Sequence, residues 1–211
     1  MPTTMTEEKV WEETVKWVWP RPLTFAEFLE LEKDNVELVD GAVVEKSMVQ
    51  LDHEKLLLWL GRLIGDYIEE RDLGIVLGSR TPVEISQFRG RMPDLLFVRR
   101  ERLGIVQQKA VYGAPDLIIE IISPNDRPSD LSALEIDYCS IGAHEILFLD
   151  QKKRRVSVLR KREADYEKTL LTTGTLYFET VEGLSLEIEW LFTEPRPKVR
   201  DVLARLSAES L

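Results

Sequence analysis

Asp116-Leu117-Ile118-Ile119-Glu120-Ile121-Ile122-Ser123 is the stretch that decides how this chain folds. Short, β-branched and apolar at consecutive positions, it reads as a strand buried on both faces. Alternation along it puts Asp116, Ile118, Glu120 and Ile122 on one face and Leu117, Ile119, Ile121 and Ser123 on the other. Glu120 is the costly residue. An ionised carboxylate moved from water into apolar surroundings needs a cation, a metal or several donors to satisfy it, and a metal is the first candidate.

Working upstream, Arg91-Met92-Pro93-Asp94-Leu95-Leu96-Phe97-Val98 places a second acid at the mouth of another apolar strand. Neighbouring strands lie about 4.8 Å apart, so Asp94 and Glu120 can converge on one cation. Asp116 follows Pro115 at its strand's mouth, where an acid can stay wet or cap a turn.

Further out, Thr24 as N-cap with Glu27 three residues on predicts a helix carrying Phe25, Phe28, Leu29 and Leu31. Asp40-Gly41 between two alternating apolar runs, Val36 to Lys46, is a tight-hairpin signal, with Glu37 on the first strand. Leu56, Leu57, Leu60, Leu63, Ile64 and Tyr67 recur at helical spacing, which predicts a long helix over residues 50–71. Short strands are expected around 75–79, 82–86 and 93–98, with Gln87 to Arg91 as a polar separator. After the isoleucine strand, residues 131–141 read as a helix closed by Gly142, followed by strands at 145–150 and 154–160 and further short strands over 165–188. Val199, Val202, Leu203 and Leu206 predict a terminal helix. Trp11, Val15 and Val18 predict a short amphipathic helix within residues 5–19. Strands, the two acid-bearing strands, a helix and another strand make a mixed α/β plan.

The chain has 211 residues, enough for one sizeable core, and a formal net charge of -10. That charge argues against a protein that grips nucleic acid over its whole surface, because Lys and Arg supply most non-specific affinity. Basic residues are nonetheless clustered at Lys152, Lys153, Arg154, Arg155, Arg160, Lys161 and Arg162, either a local surface for DNA or a solvated hairpin edge that discourages strand aggregation. Cys139 is the only cysteine, which excludes an intrachain disulfide and a cysteine-based zinc site. No apolar run is long enough for a spanning helix and the first residues lack the basic-then-apolar order of a secretory signal, so no membrane partner and a cytoplasmic location are expected. Trp11, Trp17 and Trp19 on the N-terminal extension suggest contacts with another subunit and hence a homo-oligomer.

Taken in order, Asn35-Val-Glu37-Leu-Val-Asp40-Gly41, His53 at a helix head, Met92-Pro-Asp94-Leu-Leu-Phe-Val98, Ala114-Pro-Asp116-Leu-Ile-Ile-Glu120-Ile-Ile-Ser-Pro124, and Tyr138 with Gly142 before Glu145-Ile-Leu-Phe-Leu-Asp150 carry a resemblance. The chain resembles the restriction-endonuclease family of the Uma-two type, a branch of the PD-(D/E)XK nuclease superfamily. The resemblance spans residues 22–190, leaving 1–21 as an N-terminal helical extension and 191–211 as a C-terminal helical tail.

The resemblance implies a restriction-endonuclease-like core, a central mixed β-sheet flanked by helices, and a metal-dependent endonuclease that hydrolyses DNA. It implies Mg2+ or Mn2+ held by Asp94, Glu120 and the backbone carbonyl of Ile121, with Glu37 as an additional acid. Such an ion lowers the pKa of a bound water and clamps phosphate oxygens. The chain also departs from the pattern. The superfamily's lysine, two residues after the second acid, is Ile122 here; the alternative positions of this branch, three and four residues before the tyrosine, are Glu135 and Leu134. Asp116, His53, Lys55 and Arg127 are auxiliary candidates, although arginine makes a poor general base and a lone histidine near a helix terminus is often structural. Two alternatives stay open: a catalytically silent nuclease-fold protein acting in binding or oligomerisation, and strand acids held by internal arginines such as Arg91 or Arg127.

Overall fold

The computed structural model describes residues 21–209 apart from residues 32, 34, 47–49, 79, 124 and 125. The helix expected over residues 5–19, with Trp11, Trp17 and Trp19, lies outside the described residues. In chain order the elements are α1 (Phe25–Leu29), β1 (Val36–Val39), β2 (Ala42–Glu45), α2 (Leu51–Glu70), β3 (Gly74–Gly78), β4 (Val83–Ser86), β5 (Arg89–Arg91) and β6 (Leu95–Arg99). A 3-10 turn over Arg100–Ile105 leads on to β7 (Leu117–Ile122), α3 (Pro128–Ser140), β8 (Glu145–Asp150), β9 (Arg155–Lys161) and β10 (Tyr166–Leu171). The short pair β11 (Thr175–Tyr177) and β12 (Ser185–Glu187), a second 3-10 turn and α4 (Val199–Glu209) complete the described chain.

The isoleucine stretch is β7, third from one edge of a six-stranded sheet ordered β10-β9-β8-β7-β6-β3. Only β7 and β8 run parallel in it, joined by α3 as crossover; the other neighbours are antiparallel. Two apolar layers cover the sheet. On one face Leu117, Ile119 and Ile121 pack with Leu147 and Leu149 against Leu56, Leu60, Leu63 and Ile64 of α2, with Val199, Val202 and Leu206 of α4 in the same cluster. On the other, Ile118, Ile146 and Phe148 meet Tyr138 of α3 together with Val83 and Val111. Each fully buried Leu, Ile or Phe contributes roughly 1.5–3 kcal/mol relative to exposure. The double-sided burial expected of β7 is therefore observed, and Glu120 sits on the α3 side with Ile118.

A separate four-stranded sheet, β2-β1-β5-β4, packs its Leu38, Val36 and Val43 around Phe25 and Phe28 of α1. Thr24 caps α1 with the reciprocal Glu27 bonds expected. Asp40 (φ 51°) and Gly41 (φ 77°) form a two-residue turn with both φ values positive, and a Cβ on Gly41 would stand 2.4 Å from Pro22. The stretch Gln87 to Arg91, expected as a polar separator, instead contributes β5. Its Arg-Gly-Arg pattern alternates by face: Gly90 lies under the Phe25 ring, where a Cβ would come within 2.3 Å, while Arg89 and Arg91 project to the opposite side. The α3 helix starts at Pro128, three residues before the expected 131, because proline is well accommodated in a first helical turn. Among the described residues no helix is long and apolar enough to cross a membrane.

Candidate active site

The β6–β7 ladder pairs Leu95 with Ile119 and Leu96 with Ile118. Continued by one residue, that register sets Asp94 across from Glu120, so the two acids are cross-strand neighbours. Asp94 is 5% exposed and Glu120 6%. Asp94 Oδ2 accepts from the backbone N–H of Ile121 at 2.8 Å and lies 3.0 Å from His53 Nε2, which the first turn of α2 delivers. Glu120 Oε1 accepts a hydrogen bond from the hydroxyl of Tyr138 on α3. The remaining oxygens, Asp94 Oδ1 and Glu120 Oε2, accept no hydrogen bond among the described residues.

These surroundings push the two acids apart in proton affinity. Burial and then the charge of Asp94 push Glu120 up to about 8, against the opposing effects of Lys46 and the Tyr138 hydroxyl. Burial acts the same way on Asp94, but the His53 hydrogen bond and the charges of Lys46 and His53 outweigh it and hold Asp94 below the ordinary carboxylate value. At neutral pH the pair therefore keeps one proton, on the Glu120 side. Burial opposes charge on His53, yet Asp94 and Glu54 hold its imidazole above the usual histidine value. Among the described residues His53 Nδ1 has no hydrogen-bond partner, with the Glu54 carboxylate 3.5 Å away.

Other candidates from the sequence are placed differently. Both oxygens of Glu37 are engaged, Oε2 by Arg91 at 2.8 Å and Oε1 by the Met92 N–H at 3.1 Å. Arg91 also donates to Asp137 of α3 at 2.6 Å, and Arg89 joins Asp137 to Asp40. Glu37 thus belongs to a buried ion network linking the small sheet to α3. The internal arginine is indeed Arg91, but it serves Glu37 and Asp137. Asp116 accepts from Arg102 at 2.7 Å and from the Arg99 N–H at 2.9 Å, at the opposite end of β7 from Ile121. Lys55 is half exposed and pairs with Asp52; Arg127 is exposed and pairs with Asp130.

The residue that sequence reasoning passed over is Lys46. Its Nζ donates to the Met92 carbonyl at 2.7 Å and lies 3.6 Å from Glu37 Oε1. Burial opposes its charge, but Glu120, Glu37 and Asp94, in that order, raise its pKa above the ordinary lysine value. The hairpin carried a signal for this. With Glu37 opposite Val44, Lys46 is the diagonal neighbour of Glu37 on the same face. Asp126, not singled out from the sequence, accepts from the Ser123 N–H at 2.7 Å. Burial raises its pKa, the Ser123 bond opposes that, and the charge of Asp94 raises it further.

Two clefts meet at Ile122 and Lys152, next to the end of β7. One, of about 360 Å³, is lined by Ser123, Asp126, Lys153, Arg155 and Lys168; the other, of about 320 Å³, by Gln50, His53, Gln151 and Arg196. The basic cluster is split accordingly. Lys152, Lys153 and Arg155 line the first cleft, where Lys153 and Arg155 share the Asp150 carboxylate at 3.3 and 3.7 Å; away from it Arg154 donates to the Phe192 carbonyl, Arg160 pairs with Glu145 at 3.0 Å, and Arg162 pairs with Glu167 and Glu179. Lys161 is exposed at the far end of β9.

Among the described residues no group of three or more His, Cys, Asp and Glu side chains is arranged to hold a metal ion. A cation here would rest on two carboxylates plus backbone or water oxygens. That hard oxygen set suits Mg2+ or Mn2+. Glu120, buried beside a second acid and held protonated, is the group such a cation would relieve.

The chain matches the Uma2 family, described as "Putative restriction endonuclease", over residues 25–190. It is also similar in structure to a crystal structure described as that of "a putative nuclease belonging to DUF820" from Anabaena variabilis ATCC 29413. The TM-score is 0.69 at 20% identity, covering 81% of this chain and 98% of that one. At that identity the similarity establishes a shared fold. No curated protein matches.

Proposed function

Since this chain belongs to the Uma2 family, we propose that it is a divalent-metal-dependent endonuclease that hydrolyses DNA phosphodiester bonds at the Asp94–Glu120 pair. The observation that carries this reading is the cross-strand placement of two buried acids, one pushed up to about 8 by the other and by burial. Paired carboxylates in a structural ion network would have arginines against them, as Glu37 and Asp137 do. Asp94 and Glu120 instead each keep one oxygen without a hydrogen bond among the described residues.

Asp94, Glu120 and the Ile121 carbonyl would hold Mg2+ or Mn2+, which when bound polarises phosphate oxygens and makes water more acidic. His53 and the Ile121 N–H orient Asp94, and Tyr138 orients Glu120, so the free oxygen of each acid is presented in a fixed direction. Lys152, Lys153 and Arg155 line a cleft that reaches Ile122, two residues on from Glu120, and supply charge for a phosphate backbone. In the reaction a water oxygen bonds to phosphorus and gives up a proton to solvent, the ester P–O bond breaks, and the leaving oxygen takes a proton from solvent.

The test is nicking of supercoiled plasmid in Mg2+ or Mn2+ by the full chain and by Asp94→Ala and Glu120→Ala. Nicking by the wild type that both substitutions abolish supports the reading; equal nicking by Asp94→Ala sinks it. The absence of lysine at Ile122 and Leu134 favours a second reading, a silent nuclease-fold binding protein. Metal binding without cleavage of any DNA or RNA tried would establish that one.

A further inference from the structure

We propose that Lys46, brought in by the hairpin of the small sheet, is the cation of this site, taking over the role for which Ile122 and Leu134 have no charge. This assignment rests on the endonuclease reading of Asp94 and Glu120 and adds to it a group that touches the substrate.

The small sheet has two unlike faces. One is apolar and packs on α1; the other carries Glu37, Lys46, Arg89 and Arg91. That charged face turns toward α3 and the mouth of β6, as the Arg91–Asp137 pair and the Lys46–Met92 hydrogen bond show. Met92 lies two residues before Asp94, so the Lys46 ammonium is anchored to the backbone segment that positions the first acid. Its charge acts most strongly on Glu120, on the neighbouring strand.

Three other candidate cations are committed elsewhere. Arg91 is clamped between Glu37 and Asp137, Arg127 turns out to Asp130, and Lys55 pairs with Asp52 on the outer surface of α2. Lys46 has three N–H donors and one goes to Met92. Its side chain is 27% exposed, and with Met92 and the Glu37 carboxylate at 3.6 Å each facing one donor, a third is left for a water or a phosphate oxygen. The geometry assigns it a fixed positive charge: it holds the attacking water and offsets the negative charge that grows on the phosphate, and it transfers no proton.

The experiment uses the full chain with Lys46→Met and Lys46→Arg, read by single-turnover plasmid nicking in Mn2+, by calorimetric titration with Mn2+ alone, and by thermal unfolding. Loss of one preorganised charge donor lowers the rate by about 100-fold or more. Lys46→Met should show that loss while binding Mn2+ no more weakly than the wild type, because a positive charge beside the acids has gone. Lys46→Arg should recover part of the rate. Nicking within about threefold of wild type in Lys46→Met, where Asp94→Ala nicks nothing, overturns the assignment and leaves the endonuclease reading standing. Mn2+ affinity that falls in step with the rate also overturns it, since Lys46 would then only shape the metal site. A wild-type protein that binds Mn2+ and cleaves nothing overturns both.

Discussion

Tyr138 donates its hydroxyl to Glu120 from the buried side of α3, so the crossover helix that joins the two parallel strands also holds the acid on the first of them. Removing the hydroxyl leaves the Glu120 oxygen without its one side-chain donor. Tyr138→Phe should destabilise the protein by about 1–3 kcal/mol, the cost of an unpaired buried polar group. It should also weaken Mn2+ binding, because Glu120 is no longer held in place. Denaturant unfolding and calorimetry check the two effects separately; an unchanged Mn2+ affinity would detach Tyr138 from the site.

The metal-free protein should lose stability as pH rises. Glu120 has a folded-state pKa of about 8 against an ordinary 4.5, so the folded state binds the extra proton. Stability is then full below about 4.5 and falls as pH climbs through the folded value, levelling above it. His53, also raised, acts in the same direction: its contribution is present below the ordinary histidine value and is lost as pH rises through the folded one. Glu120→Gln removes the first component. Between pH 5 and pH 8.5 the wild type should lose markedly more stability than Glu120→Gln in urea unfolding, and parallel curves would contradict the raised value.

Metal binding should in turn release that proton. At pH 7 a group with a pKa of about 8 is mostly protonated, and a divalent cation binds the carboxylate. Mn2+ titrations at pH 7 in two buffers of different ionisation enthalpy should therefore report close to one proton released, shrinking above pH 8.5. Release of no proton at pH 7 would mean that Glu120 is not a ligand.

How much of this was legible in the sequence depends on whether the signal was local. The strands β7 and β8 and the acids Asp94 and Glu120 were readable because an apolar run and a charge inside it are visible over a few residues. The hairpin was readable because Asp40 and Gly41 carry the positive φ values themselves. Lys46 was not, since its partners are the Met92 carbonyl and acids far along the chain, and only folding brings the small sheet against β6. Strand β5 was missed for the same reason: Arg89 and Arg91 read as loop residues until Glu37, Asp40 and Asp137 are set against them. The basic cluster was visible as composition, but which of its members are spent on Glu145, Glu167 and Glu179 was not.

Arg91 should matter to stability more than its charge suggests. Its guanidinium is buried between Glu37 and Asp137, and those carboxylates hold it well above its already high ordinary pKa despite burial. Arg91→Met would leave two buried carboxylates without their shared cation, a loss of about 3–5 kcal/mol, measurable as a fall in the denaturation midpoint. The double variant Arg91→Met with Asp137→Leu should recover part of it, because one orphaned charge is removed with its partner. A loss below about 1 kcal/mol would show that the network is wetter than the structure has it.

The two ends of the basic cluster should separate in DNA binding. Lys152 and Lys153 line the cleft beside β7, with Lys153 3.3 Å from the Asp150 carboxylate that it shares with Arg155, whereas Arg160 pairs with Glu145 and Arg162 with both Glu167 and Glu179 at the other end of β9. A phosphate contact weakens binding uniformly across sequences when lost and lowers the salt slope by roughly one per contact. Lys152→Glu with Lys153→Glu should therefore weaken binding of a short duplex in fluorescence anisotropy and flatten its dependence on salt. Arg162→Ala should leave both unchanged, since its charge is already met by Glu167 and Glu179. The reverse outcome, a flatter slope only in Arg162→Ala, would move the nucleic acid off the Asp94–Glu120 end of the sheet and with it the reason for placing cleavage there.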